Sequence, residues 1–212
     1  PETVAREKLE KIKALGVKTI LHSNDSGVAE QHAQKLAKEQ GKIYVSPYND
    51  PQIIAGQGTL AIELLDQLPR LDVVYVSIGG GGLISGIGCV LKAFSPRTRV
   101  VGVSAKNSAE LAASIRAGKM VKVDHFETLA DGCAGGVDND TITLGLGSEV
   151  IDDLIDCSEG QIEVGLQQIA WNEKMLVEGS AGLAYAAWQE DASNNKNKTV
   201  SYTHLTLPTR ST

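Results

Sequence analysis

The stretch Val73-Val74-Tyr75-Val76-Ser77-Ile78-Gly79-Gly80-Gly81-Gly82 decides how the rest of the chain is read. Its first six residues form a short, nearly continuous apolar run, which is what a strand covered on both faces requires. Four glycines follow at once. The next segment carries Leu83, Ile87, Val90, Leu91 and Phe94 on one side of a helix and stops before Pro96. Strand, glycine turn and helix in that order put the turn at the carboxyl end of a strand in an α/β sheet, where ligands bind. Without Cβ atoms the backbone can turn tightly and aim several amides at one point, and the helix adds the positive end of its dipole. That arrangement suits an anion, above all a phosphate. The competing reading is a turn needed only for tight strand–helix packing, but four glycines in a row exceed what packing asks. Gly88, further along the helix, is expected to accept alanine at little cost, since alanine favours helices.

The flanking sequence alternates helix and strand. Residues 4–15 read as a helix with Leu9, Ile12 and Leu15 on one stripe, and Val17–Leu21 as a strand. A helix over 28–40 and a strand over 42–46 follow, with Pro47 as the stop. Residues 47–58 hold two prolines and an Asn-Asp pair and read as a connection, leading into a helix that ends near Leu68. Val100–Val103 is a further strand. Asn107 with Glu110, and Ser158 with Gln161, have capping-box spacing for helices reaching Ala117 and residue 172. The pattern predicts an α/β fold of open, mostly parallel sheets in two domains. Residues 1–48 form the remainder of a small domain, 49–200 a large one, and 201–212 a probable non-native tail.

The 212 residues carry a net charge of −6, which argues against a nucleic-acid partner. Hydrophobic residues make up 42% and aromatic ones only 4%, so aliphatic side chains and alanine must fill the core. No apolar run is long enough for a membrane span. Cys89, Cys133 and Cys157 form no CxxC pair and read as small buried hydrophobes in a reducing, cytoplasmic setting. Two phosphate signatures fail. The dinucleotide pattern GxGxxG ends on Ile84, Ser85 or Leu91 in its possible registers, and no Gly-Lys-Ser/Thr follows the glycines. A compact phosphate monoester remains.

Ser77–Gly86, Ser-Ile-Gly-Gly-Gly-Gly-Leu-Ile-Ser-Gly, resembles the phosphate loop of fold-type-II pyridoxal-phosphate enzymes (the tryptophan synthase β-like fold), closest to the serine/threonine dehydratase and serine racemase branch. Four further segments agree in order: Pro1-Glu2-Thr3 with its lysine-rich helix, Asp50-Pro51 through Ala55–Thr59, Thr128–Gly132, and Val177–Gly182. The resemblance covers about residues 1–198. It implies pyridoxal 5'-phosphate as cofactor, with Gly79, Gly80, Gly81, Gly82 and Leu83 giving amides to its phosphate. Gly132 would lie against the cofactor ring, Asp131 beside the substrate pocket, and Glu178 under the ring. Asp131 can also be read as a simple turn residue, and Glu178 as a helix cap.

The resemblance implies dehydration of threonine or serine to a 2-oxo acid and ammonia by a homo-oligomer acting on a small amino acid. The alternatives are a serine or aspartate-type racemase or a hydroxy-amino-acid dehydratase on the same fold, and, in another class, a non-catalytic phosphate-binding fragment. The sequence departs from the family in three places. The Schiff-base lysine segment is expected upstream of Pro1, so no catalytic residue is assigned here. Gly179 stands where the family usually has proline. Residues from Ser201 match nothing in the family, and His204 among them is given no role. No metal is expected either: Glu110 matches one acid of the racemases' cation site, but Ser104 stands in place of its glutamate.

Overall fold

The run 73–78 is a central strand in the computed structural model, which describes residues 1–203. β1 (Val73–Ser77) is flanked by β2 (Arg99–Ala105) and β4 (Val200–Thr203), and β3 (Asp153–Cys157) lies beyond β2. All three pairings are parallel, in the order β3-β2-β1-β4. Every residue of β1 is buried. Side chains alternate across a strand, so Val74 and Val76 enter one apolar cluster and Val73 and Tyr75 the other. The first cluster takes in Ala61 of α3 (Pro51–Gln67) and Ile84, Ile87 and Leu91 of α4 (Gly82–Phe94). The second takes in Ile162 of α7 (Glu159–Gln168) and Leu183, Ala184 and Ala187 of α8 (Gly179–Glu190). The fold is therefore α/β with a parallel sheet covered on both faces.

Two glycine contacts let these helices approach closely. A Cβ on Gly86 of α4 would lie 2.3 Å from the Ile54 carbonyl oxygen and 2.6 Å from the Gly58 nitrogen of α3. On the other face, a Cβ on Gly165 of α7 would lie 2.5 Å from the Gly182 carbonyl of α8. Gly88 plays a similar part, contrary to the expectation that it is free. Its Cβ would stand 2.3 Å from Val150 Cγ2 and 2.6 Å from Val150 Cβ, at the end of α6 (Thr143–Val150). Gly88→Ala is expected to cost about 1–3 kcal/mol through overpacking, measured as a lower urea midpoint at unchanged slope. A midpoint at or above that of the parent would restore the helix-propensity reading.

Several boundaries differ from the sequence expectation. α3 begins at Pro51, well inside the segment read as a connection. The Asp50 carboxylate accepts the Gln52 and Ile53 amides at 2.7 and 3.1 Å, and proline suits the first helical turn because its missing N–H has no partner to lose there. The Ser158–Gln161 capping box forms as expected. The Asn107–Glu110 box does not: α5 (Glu110–Ala117) starts after Ala109 with no side-chain cap, and Asn107 Nδ2 donates instead to the Glu127 carbonyl at 2.7 Å. Val200–Thr203 pairs in register with Val73–Val76, so Ser201–Thr203 belongs to the sheet, not to the tail. The expectation for His204 lies outside the described residues.

Tyr75 ties the last helix to the sheet. Its hydroxyl donates to Asp191 at 2.6 Å and accepts from Asn195 Nδ2 at 2.6 Å, and Arg99 pairs with the same carboxylate. Burial pushes the Asp191 carboxyl up, but the Tyr75, Asn194 and Arg99 donors bring it below its ordinary range.

The chain divides into two compact units, Pro1–Val45 and the segment from Ser46 onward. The first holds α1 (Arg6–Ala14) and α2 (Ser26–Glu39), the latter capped by Asp25 accepting the Val28 amide at 2.9 Å. The segments 17–21 and 42–46, expected as strands, form no strand and pair with no neighbour among the described residues. A strand needs a hydrogen-bonded neighbour as well as β-branched side chains. Ile43 is 92% exposed, so this apolar edge has no cover in the described chain. No helix among the described residues is long and apolar enough to cross a membrane.

Candidate functional site

β1 ends at Ser77, and the four glycines carry the backbone from its carboxyl end into α4. Gly81 caps α4 with a left-handed backbone, φ +86°, which disfavours any side chain. Among the described residues no hydrogen-bond acceptor takes the amide hydrogens of Gly79 to Leu83. They lie where the helix dipole is positive, so the loop is a set of donors aimed at one end of the sheet. Leu83 is half-buried and packs its side chain on the first apolar cluster, leaving only its backbone for the loop.

The glycines are also crowded by the protein itself, which corrects the expectation that four exceed what packing needs. A Cβ on Gly79 would lie 3.1 Å from Cys133 Cα, one on Gly80 2.3 Å from the Tyr48 ring, one on Gly81 2.3 Å from Leu111 Cδ2, and one on Gly82 2.9 Å from Tyr48 Cα. Intolerance of side chains here is therefore not by itself a sign of a ligand. The bare amides carry that argument, and they fit a phosphate.

The turn 131–133 comes against this loop at Gly79. Asp131 and Gly132 are exposed, and Cys133 is buried with its backbone on Gly79. Asp131 opens a 3-10 turn in which its carbonyl accepts the Ala134 amide at 3.2 Å, so the turn role read from the sequence is present. Burial pushes the Cys133 thiol up to about 11, and likewise Cys157 to about 12, so both are inert hydrophobes as expected; Cys89, by contrast, is exposed.

Glu178 stands at the N-cap of α8, yet its side chain makes no cap bond. The capping reading is thus set aside. The carboxylate turns toward Gly132, where an added Cβ would lie 3.6 Å from both of its oxygens and 3.0 Å from the Ser180 hydroxyl. Ser77 Oγ donates to the Ser180 carbonyl at 2.7 Å, locking the start of α8 to the end of β1. The glycine loop, Gly132 and Glu178, far apart in sequence, thus meet at one end of the sheet.

Three residues at this place were not singled out from the sequence. Tyr48 lays its ring on Gly80, and its hydroxyl accepts the Asp138 amide at 2.9 Å. Thr143 Oγ1 donates to the Gly80 carbonyl at 2.7 Å. Ser180 is fully buried beside Gly132. Only Ser180 had a sequence signal, its place directly after Glu178-Gly179; Tyr48 sat in the segment read as a connection, and Thr143 in one to which the sequence assigned no element.

Residues 1–204 match the family described as pyridoxal-phosphate dependent enzymes. An L-threonine ammonia-lyase of Thermotoga maritima is 34% identical over 187 residues, 88% of this chain and 46% of that protein. Two solved structures superpose on 95% of the chain with TM-scores of 0.84 at 28% identity: the processed form of threonine deaminase isoform 2 from Solanum lycopersicum, of which 59% is covered, and maize serine racemase, of which 62% is covered. The chain spans about half the length of the curated relatives it matches. By the extent of the family match and by the superposition on these solved structures, the chain belongs to the pyridoxal-phosphate dependent enzymes of fold type II.

Proposed function

We propose that this chain is the phosphate-holding part of a threonine or serine ammonia-lyase, which converts its substrate to a 2-oxo acid and ammonia. The observation that carries the reading is the row of amides from Gly79 to Leu83, unpaired among the described residues, beside Gly132 and Glu178, in a chain whose relatives are named for threonine deamination. Pyridoxal 5'-phosphate, when bound, supplies an electron sink for the pair released as a Cα–H bond breaks. The residues of this chain bind and orient. The amides of Gly79, Gly80, Gly81, Gly82 and Leu83 hold the phosphate through charge-assisted bonds. Gly132 leaves room for the ring, Glu178 orients it, and Asp131 is a polar neighbour of the substrate. We assign no residue of this chain to the base that takes the Cα proton; Lys8, Lys11, Lys13 and Lys35 lie on α1 and α2. We place the intact protein in the cytoplasm as a homo-oligomer whose partner is a small amino acid.

Racemisation on the same scaffold is the second reading. It is supported by the equal similarity to maize serine racemase and by Ala134-Gly135-Gly136-Val137, which can reshape the pocket after the Asp-Gly turn. Chiral analysis of the product separates it from deamination. A third reading, a phosphate-binding fragment without catalysis, suits the chain taken alone.

Amide chemical shifts of the 212-residue chain test the binding role. Titration with pyridoxal 5'-phosphate is expected to move Gly79–Leu83 and Gly132, and pyridoxal without phosphate should bind at least about tenfold more weakly. Unmoved amides at Gly79–Leu83 in a folded, saturated sample would sink the proposal.

A further inference from the structure

Glu110 is a carboxylate only 2% exposed, at the first turn of α5 and outside the site just described. A charge so buried needs donors on its oxygens, and it has three. Oε1 accepts the Val137 amide at 3.0 Å and the Lys122 ammonium at 2.9 Å, and Oε2 faces His125 Nε2 at 3.0 Å. Lys122 also donates to the Val137 carbonyl at 3.2 Å, so one ammonium joins both sides of the loop to the same carboxylate. Two residues earlier, the Ser108 hydroxyl contacts His125 Nδ1 at 2.8 Å and accepts the Gly135 amide at 3.0 Å. Ser108 is itself buried. Burial pushes the Glu110 carboxyl up, but the Val137 amide, Lys122 and His125 bring it below its ordinary value.

These contacts have one geometric result. Ser108 and Glu110 grip residues 122 and 125 on the way out and 135 and 137 on the way back. The segment between carries Asp131, Gly132 and Cys133, and Cys133 sits on Gly79. We propose that Glu110 is a positioning residue: with Ser108 it clamps the loop 122–137 at its base, so that the Asp131–Cys133 turn stays seated against the glycine loop. Asn107 and Glu159 hold the outer part, at the Glu127 carbonyl and the Leu129 amide, and leave the inner part to the clamp. The clamp is a statement about the turn; its importance for ligands rests on the functional reading above.

Hydrogen exchange of the 212-residue chain, read at single amides, is the test. Cys133 and Ala134 report the turn, because their amides bond to Ala130 and Asp131 and not to the clamp itself. Glu110→Ala is expected to speed their exchange by about tenfold or more while β1 amides stay protected. Ser108→Ala, a smaller change that keeps the ion pairs, should act in the same direction by about threefold or more. Glu110→Gln, which still accepts the Val137 amide, should fall between parent and alanine variant. Unchanged exchange at Cys133 and Ala134 in both alanine variants overturns the clamp, as does an equal rise in β1, which would mean general loosening. Pyridoxal 5'-phosphate titration of the same samples separates the two claims. A loosened turn with unchanged affinity supports the clamp and counts against Gly132 as part of the ligand site.

Discussion

Replacing Gly179 by alanine is expected to be the most damaging single-methyl change in the described chain, costing about 4 kcal/mol or more and leaving little folded protein. An added Cβ would lie 1.7 Å from the Leu129 carbonyl oxygen, 2.3 Å from its carbon and 2.8 Å from the Ala130 nitrogen. All three are backbone atoms, so no rotamer change relieves the overlap. Either α8 moves off the sheet, with Leu183, Ala184 and Ala187 in the core, or the segment before Asp131–Gly132 is displaced. Proline, common in relatives by the resemblance noted above, would meet the same atoms although the first turn of a helix otherwise suits it. Gly145→Ala is the matched control: it lies in α6 with open space around it, and should be neutral or stabilise by up to about 1 kcal/mol. Thermal melts of both variants decide the matter. A Gly179→Ala protein melting within a few degrees of the parent would mean that α8 and the 129–130 backbone do not approach as described.

Gly81→Val is expected to weaken pyridoxal 5'-phosphate binding by roughly two to four powers of ten, the loss of two charge-assisted amide bonds. Part of the effect is strain: φ is +86°, and the new side chain meets Leu111 and Thr143. The nearest atom, Leu111 Cδ2, is the end of a flexible side chain, so a second change can remove that overlap. In a Leu111→Ala background the overlap with Leu111 falls away, while the contact with Thr143 and the part due to the loop's backbone remain. Affinity is measured by titration in all four proteins, with folding checked by circular dichroism. If Gly81→Val with Leu111→Ala binds as tightly as Leu111→Ala alone, the loop does not hold the phosphate.

The central strand and glycine turn were legible because they are local. Val73–Ile78 has the unbroken apolar run of a doubly covered strand, and the turn needs only glycine and the helix after it. The chemistry at Gly132 and Glu178 could be placed only through the resemblance, since composition says nothing of residues that meet from distant segments. What failed shares one cause. Val17–Leu21 and Lys42–Ser46 have strand-like side chains, but pairing is a property of two segments. Gly88 looked free because a helix shows its own propensity and hides the neighbour, here Val150, that fills its open side. Glu110 had capping spacing, yet a buried carboxylate follows the strongest donors, and those came from Lys122, His125 and Val137. Gly179 showed in the sequence as a departure, and only the Leu129 carbonyl explains it.

The order β3-β2-β1-β4 has a consequence for synthesis on the ribosome. β1 finds one neighbour soon, in Arg99–Ala105, but the other, Val200–Thr203, emerges more than one hundred residues later. At about 5–20 residues per second, that edge of the central strand stays open for roughly 6–25 seconds of translation. During that time Val73–Ser77 offers bare backbone and apolar side chains to any other nascent strand. Slow codons between positions 110 and 200 should therefore lower the soluble yield, and a chaperone acting on nascent chains should recover it.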